Sequence, residues 1–262
     1  MKRRISSSFF FALAAVASPS LAFGADGYFL TGYGARQRAL GGAGVADSRD
    51  PMAMSINPAG IVGLEREFQV GLAATVLERG YSTIGQPLVL APGDVRSGRP
   101  LFPVPNSDYV QPIDAESAWG VATYGNGGLN TSYDFGHFRP PVKAGPGGII
   151  TVSPSFGGIL GGGWAGLDLQ QSFMSATYAR KFGPITVGFS PTLAIQMFNA
   201  QGLKILSPYS SNMYNFSDMA YDWSVGGGFR VGVEWRATNE LRFGLAGATP
   251  MFMSKLDKYR GL

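Results

Sequence analysis

Alternation of apolar and polar positions is the strongest pattern in this sequence. In WSVGGGFRVGVEWR, Trp223, Val225, Phe229, Val231, Val233 and Trp235 share one parity, while Ser224, Arg230, Glu234 and Arg236 share the other with several glycines. Side chains alternate across a strand, so this spacing predicts one apolar face and one small or charged face. The twelve steps from Trp223 to Trp235, tilted near 40°, rise roughly 30 Å. That suits an apolar band about 25 Å tall with an aromatic girdle at each rim. Soluble sandwiches use strands of about six residues.

The same alternation recurs. In PITVGFSPTLAIQMFNA, Ile185, Val187, Phe189, Leu193, Ile195 and Met197 oppose Thr186, Gly188, Ser190, Thr192 and Gln196. Pro191 is expected to remove one ladder bond there. LRFGLAGA (241–248) and FQVGLAATVL (68–77) alternate cleanly; SAWGVATYG (117–125) and LDLQQSFMSATYAR (167–180) do so less strictly. LFPVPNSDYVQ (101–111), with two prolines, is the weakest of the seven predicted strands. Their connections alternate too: 78–100, 126–166 and 200–220 are long, whereas 112–116, 181–184 and 237–240 are short. Long outer loops and short inner turns are how membrane barrels are built.

The opening MKRRISSSFFFALAAVASPSLAFG places Lys2, Arg3 and Arg4 before an apolar run from Phe9 to Ala17 and small residues at Ala22 and Gly24. This pattern predicts a secretory signal peptide over residues 1–24, too short in its apolar part for a membrane helix. Those residues carry three positive charges and no acid, so the formal net charge falls from +4 to +1 without them. The basic balance therefore gives no footprint for nucleic acid. Glycine reaches 38 residues, about twice the usual share, and charged residues are only 15%. An exported chain of this composition leaves a secreted soluble β protein or a transmembrane barrel. With no cysteine, a disulfide-stapled fold is excluded. An open sheet in hydrocarbon leaves backbone groups unpaired at several kcal/mol each, and bacterial barrels have even strand numbers. The reading is an all-β, transmembrane antiparallel β-barrel, truncated to its N-terminal half: a partial barrel over 65–262.

Residues 25–64 lack strand periodicity. Asp50 is placed to cap one helical turn, with Pro51 first and Met52, Ala53 and Met54 inside it. Pro58 excludes Asn57 from the helical region, and Asn57-Pro58-Ala59-Gly60 is expected to turn toward the first strand. Composition and spacing leave this segment open between a plug and a flexible leader. The glycines of GYGARQRALGG do not make a nucleotide loop, since no strand precedes them.

The run DGYFLTGYGARQRALGGAGVADSRDPMAMSINPAG closely resembles the N-terminal hatch of the FadL/TodX family of outer-membrane transporters for long-chain fatty acids and other hydrophobic compounds. It carries ALGGAGVA, the Asp50 helix start and Asn57-Pro58-Ala59. WGVATYGNGGLNTSY is similar to the family's third strand and following loop, and LDKYRGL to a mid-chain segment. The resemblance implies about seven strands of an expected fourteen, with the hatch, residues 25–64, plugging the barrel. It implies passive transport through the outer membrane of a Gram-negative cell: cargo lands in an outer groove, enters a pocket, and leaves sideways through a kinked third strand. Asn57, Pro58 and Ala59 are then the gating turn, and Gly125, Gly127 and Gly128 the kink candidates.

An apolar pocket captures an acyl chain at roughly 0.8 kcal/mol per CH₂. Met213, Tyr214 and Phe216, in a long outer loop, are candidates for first contact with a fatty acid or aromatic hydrocarbon. Arg230, Arg236 and Arg242 share the inner parity, where inward charges pair with Glu234 or the plug. The expected partners are this cargo and outer-membrane lipids, with a monomeric full-length protein and no nucleic acid. No cofactor, metal set or catalytic residue is expected. A lipase would depend on the single histidine, His137, and no GxSxG accompanies it. A general diffusion porin or a structural outer-membrane protein are the remaining alternatives.

Overall fold

The computed structural model describes residues 29–84, 93–135 and 163–262. The expected signal peptide and His137 lie outside these residues. After an irregular start come a short helix α1 (Gly34–Ala39) and two 3₁₀ turns, Pro51–Ser55 and Pro58–Ile61. The strands follow as β1 (Glu67–Val76), β2 (Gly80–Thr83), β3 (Gly93–Arg96), β4 (Leu101–Pro112), β5 (Ser117–Asn130), β6 (Tyr133–Asp134), β7 (Trp164–Phe182), β8 (Ile185–Gln201), β9 (Asp222–Arg236), β10 (Arg242–Ala248) and β11 (Phe252–Met253). The main sheet runs β1-β4-β5-β7-β8-β9-β10, every pairing antiparallel. β2 and β3 form a separate hairpin in the first long connection. β11 continues the β10 edge along β9 after a break at residues 249–251.

All seven alternating segments are strands, including the proline-bearing β4. Pro103 and Pro105 sit in the half of β4 that pairs with β1 alone, since pairing with β5 begins at Asn106, and a strand with one open side accommodates proline. Pro191 acts as expected: the β7–β8 register skips Ala176–Thr177 opposite Ser190–Pro191. A hydroxyl pair, Thr177 with Ser190 at 2.8 Å, spans the gap instead.

The burial of the two faces is inverted relative to a soluble sandwich. On β9, Trp223, Val225, Phe229, Val231, Val233 and Trp235 are 37–59% exposed, while Ser224 and Glu234 are 1% and 5% exposed. On β8, Val187, Phe189, Leu193 and Ile195 face out and Ser190 and Thr192 are buried. A contiguous exposed apolar stripe of this kind is not a feature of monomeric soluble surfaces. The two-layer soluble reading, with those stripes pressed together, is not what the chain adopts.

The inner, polar face is covered by the chain's own N-terminal segment. Met52, Met54 and Ile61 are almost fully buried, packed with Val110, Ala118, Ala122, Tyr124, Phe173 and Ala194 of the wall. Each such burial contributes roughly 1.5–3 kcal/mol. The segment touches both ends of the strand path: Arg38 reaches Thr75 on β1, and Val45 lies against Gly244 on β10. In a flat sheet those strands sit about 29 Å apart. Seven residues span at most about 25 Å fully extended, and these include the end of α1 and two tight turns. The sheet is therefore curled around the segment, although β1 and β10 do not pair.

Three expectations for this segment change. Six residues, Gly34–Ala39, form a helix where none was anticipated. Pro58–Ile61 is a 3₁₀ turn rather than an open turn. The Asp50 side chain makes no capping bond to the turn it precedes; the backbone carbonyl of Asp50 accepts from Ala53 N instead. Asn57 takes the capping role for the second turn, its Oδ1 accepting from Ala59 N at 3.0 Å.

Close approach of backbone to wall needs glycine at two positions. A Cβ on Gly188 would run into the Pro58 carbonyl, and one on Gly232 into Asn57 Oδ1. Gly232→Val is therefore expected to displace residues 51–61 while the strands still pair. Limited proteolysis of the folded protein should show cleavage in 29–64 at least about tenfold faster than wild type, roughly the effect of removing 1.4 kcal/mol of docking. Unchanged protection would disprove the close packing.

Candidate functional site

Three polar attachments tie the N-terminal segment to β9. Asn57 Nδ2 donates to Val233 O at 3.1 Å on β9 and to Val45 O at 2.6 Å. Arg230 Nη1 donates to Ile56 O at 3.2 Å. Ser48 donates to Glu234 in a short contact, and Glu234 also pairs with Arg242 at 3.5 Å. Arg230 and Arg242 are thus engaged by the segment and by Glu234. Arg236, at the strand end, is exposed. Within the segment, Gln37 stitches α1 to the first 3₁₀ turn, donating to Met52 O at 2.8 Å and accepting from Tyr33 N at 2.8 Å.

The third long strand, β5, is bulged. Gly125 pairs with Ser172 but Gly127 pairs with Gln171, leaving Asn126 as the extra residue. Of the three glycine candidates for a kink, Gly125 and Gly127 flank the irregularity and Gly128 pairs regularly with Gln170. The bulge residue itself is an asparagine, and its carbonyl and both polar side-chain atoms have partners. Leu30 N donates to Asn126 O at 3.2 Å, Tyr33 Oη to Oδ1 at 2.7 Å, and Nδ2 to Gln171 Oε1 at 2.5 Å. Phe29 bridges to Gly127. The N-terminal segment therefore completes the interrupted ladder at the bulge.

Beside this bulge lies a cavity of about 490 Å³, within the range of small-molecule sites. Its apolar wall comes from Leu101, Phe102, Pro103, Val104 and Pro105 on β4, with Phe29 and Leu30 from the segment. Gly125, Gly127 and Gly128 line its β5 side, and Gln170, Gln171 and Ser172 its β7 side. All these strand positions sit toward the ends that carry the long connections. Asn57, Pro58 and Ala59 lie elsewhere, buried against β8 and β9. Met213, Tyr214 and Phe216 do not line it: Met213 and Tyr214 are exposed, at 49% and 82%, on the 202–221 loop between β8 and β9. The β4 lining is not legible in the sequence, because the prolines that weaken this segment as a strand are themselves part of the apolar wall.

Two acids of the interior stand out. Asp108 on β4 is 2% exposed, both its carboxylate oxygens lack a partner, and it sits in the field of Asp50 and Glu67. Asp50 Oδ1 is also unpartnered. Burial pushes the Asp50 carboxyl above its ordinary range, and Arg36, 3.9 Å away, opposes that shift without cancelling it. Burial likewise raises the Tyr33 phenol, which keeps it a hydrogen-bond donor to Asn126. Among the described residues no group of three or more His, Cys, Asp or Glu is placed to hold a metal.

Replacing a buried, unpartnered carboxylate beside like charges removes a desolvation cost. Asp108→Asn is expected to raise stability by about 1–3 kcal/mol, read as a higher urea midpoint for the detergent-folded protein. A lower midpoint would show that Asp108 has a stabilising partner. A double-mutant cycle of Tyr33→Phe and Asn126→Ala should give a coupling of about 1 kcal/mol; additive effects would remove the bond between segment and bulge.

No protein-family model matches the sequence, and no curated protein matches it. Solved structures do. The Ralstonia pickettii toluene transporter TbuX superposes with a TM-score of 0.57 at 21% identity, over 82% of this chain and 56% of TbuX. A Pseudomonas aeruginosa FadL homologue gives 0.52 at 12% identity, over 86% of this chain and 53% of the homologue. The chain spans little more than half the length of either. At these identities the likeness is one of fold, and it agrees with the outward apolar stripe, the antiparallel order and the N-terminal segment on the inner face: the chain has a FadL/TodX-like fold.

Proposed function

We propose that this chain is the N-terminal part of an outer-membrane β-barrel, about seven of fourteen strands, that passes hydrophobic small molecules without an energy source of its own. The observation that carries the reading is the largely apolar cavity of about 490 Å³ that lies between the N-terminal segment and the bulge at Asn126. A bulge weakens lateral pairing at that point of the wall. Cargo held there needs only local rearrangement of β5 and the segment to leave sideways into hydrocarbon. Burying apolar surface supplies the affinity, at roughly 0.8 kcal/mol per CH₂. Long-chain fatty acids and aromatic hydrocarbons are the proposed cargo, and TbuX, by its description a toluene transporter, fits that class.

In this reading residues 25–64 are the hatch and residues 65–262 the partial wall, with residues 1–24 a cleaved export signal. Asn57, Pro58 and Ala59 form the latch, since Asn57 bonds both β9 and the returning chain at Val45. Met213, Tyr214 and Phe216 are proposed as first contacts at the outer surface, upstream of the cavity. A general diffusion porin fits less well, because a segment buried on the polar face occupies the volume that water would fill. TbuX is by its description a transporter, and the described residues that line the cavity include no nucleophile–base pair. The full-length protein is taken as a monomer.

Cells producing the full-length protein should take up labelled fatty acid or toluene saturably, and the folded barrel should run faster on SDS gels before boiling than after. Asn57→Ala, which deletes the bonds to Val45 and Val233, is expected to change the uptake rate several-fold while the gel shift persists. Non-saturable entry of small polar solutes at the same rate would favour the porin, and uptake unaffected by Asn57→Ala would remove the latch.

A further inference from the structure

Among the described residues, the cavity beside the bulge has a single charged lining residue, and it comes from the N-terminal segment rather than the wall. Arg38 lies in the last turn of α1. Its guanidinium meets Thr75 Oγ1 at 3.5 Å, and that is its one hydrogen bond among the described residues. Arg36, two positions earlier, is held by Asp47 at 2.6 Å. Residues two apart on a helix do not share a face, so one guanidinium is neutralised at the segment's own acids and the other is turned to the cavity. Arg230 and Arg242 are already engaged by Ile56 O and Glu234. Arg38 thus retains most of its donors beside an apolar wall made by Phe102 and Val104. A partly desolvated guanidinium with unused donors matches a carboxylate bidentately.

We propose that Arg38 is a specificity-determining residue, selecting cargo with a carboxylate head on an apolar body over neutral hydrocarbon of the same size. This rests on the transport reading above and narrows it. It also places the grip on the segment rather than on the wall: α1 joins the Pro51–Ser55 turn through Gln37, so the bound head group pulls on the element that must move.

The test is equilibrium dialysis of tritiated decanoate and 1-decanol against the full-length protein in detergent. Arg38→Gln is expected to weaken decanoate binding about tenfold and leave decanol within about twofold, while Arg38→Lys retains part of the preference. In the wild type, decanoate affinity should fall between 50 and 500 mM salt and decanol affinity should not, which needs no variant to fold. Equal loss of both probes in Arg38→Gln, no loss of either, or a salt-independent decanoate affinity overturns the assignment to Arg38 and leaves the transport reading standing. Failure of the wild type to bind either probe overturns both.

Discussion

Everything in this structure depends on covering the polar face of a curled sheet with the chain's own first segment. Outward stripes of Val, Ile, Phe and Trp leave the wall with no apolar interior of its own. The core is instead built where Met52, Met54 and Ile61 enter the inner face against Val110, Ala118, Ala122 and Ala194. Small wall residues make this possible. Gly188 and Gly232 let the Asn57-Pro58 backbone approach to a distance that any side chain would prevent, and the Asn57 amide then reaches the Val233 carbonyl.

The same segment decides the state of the bulge. An extra residue in β5 frees backbone and side-chain groups, and buried groups of that kind must find partners. Leu30, Tyr33 and Gln171 supply them. A cavity with an apolar wall and a polar bulge on one side follows from that arrangement: the segment closes it without filling it. Docking of the segment and enclosure of the cavity are therefore one event, and movement of the segment changes both.

The electrostatics show how firmly the segment is held. Arg230, Glu234 and Arg242 engage it or one another along β9 and β10. On the β4 side the balance is reversed, where Asp108 is buried without a partner and faces the charges of Asp50 and Glu67. The segment is thus bonded along β9, at the Asn126 bulge and to Thr75 of β1, with Asp50 and Asp108 as the unfavourable pair between those attachments.

The sequence by itself determined the seven long strands and which of their side chains share a face, because side chains alternate across a strand; that the apolar face turns outward was decided by the folded sheet. It also marked 25–64 as different in kind, through absent periodicity, and Asn57-Pro58-Ala59 as a local turn. Tertiary structure alone decided the rest. Asn126 is the bulge because of where β5 meets β7 some 45 residues later in sequence, and the local glycines pointed only to its neighbourhood. Prolines read as flaws in β4 became a cavity wall once β1 and β5 held that strand in place. Arg38 looked like one basic residue of a short glycine-rich run; only the curl of the sheet around α1 brings it to the cavity. Local alternation is written in the chain, whereas contacts between distant segments depend on closure of the sheet, which no short window of sequence contains.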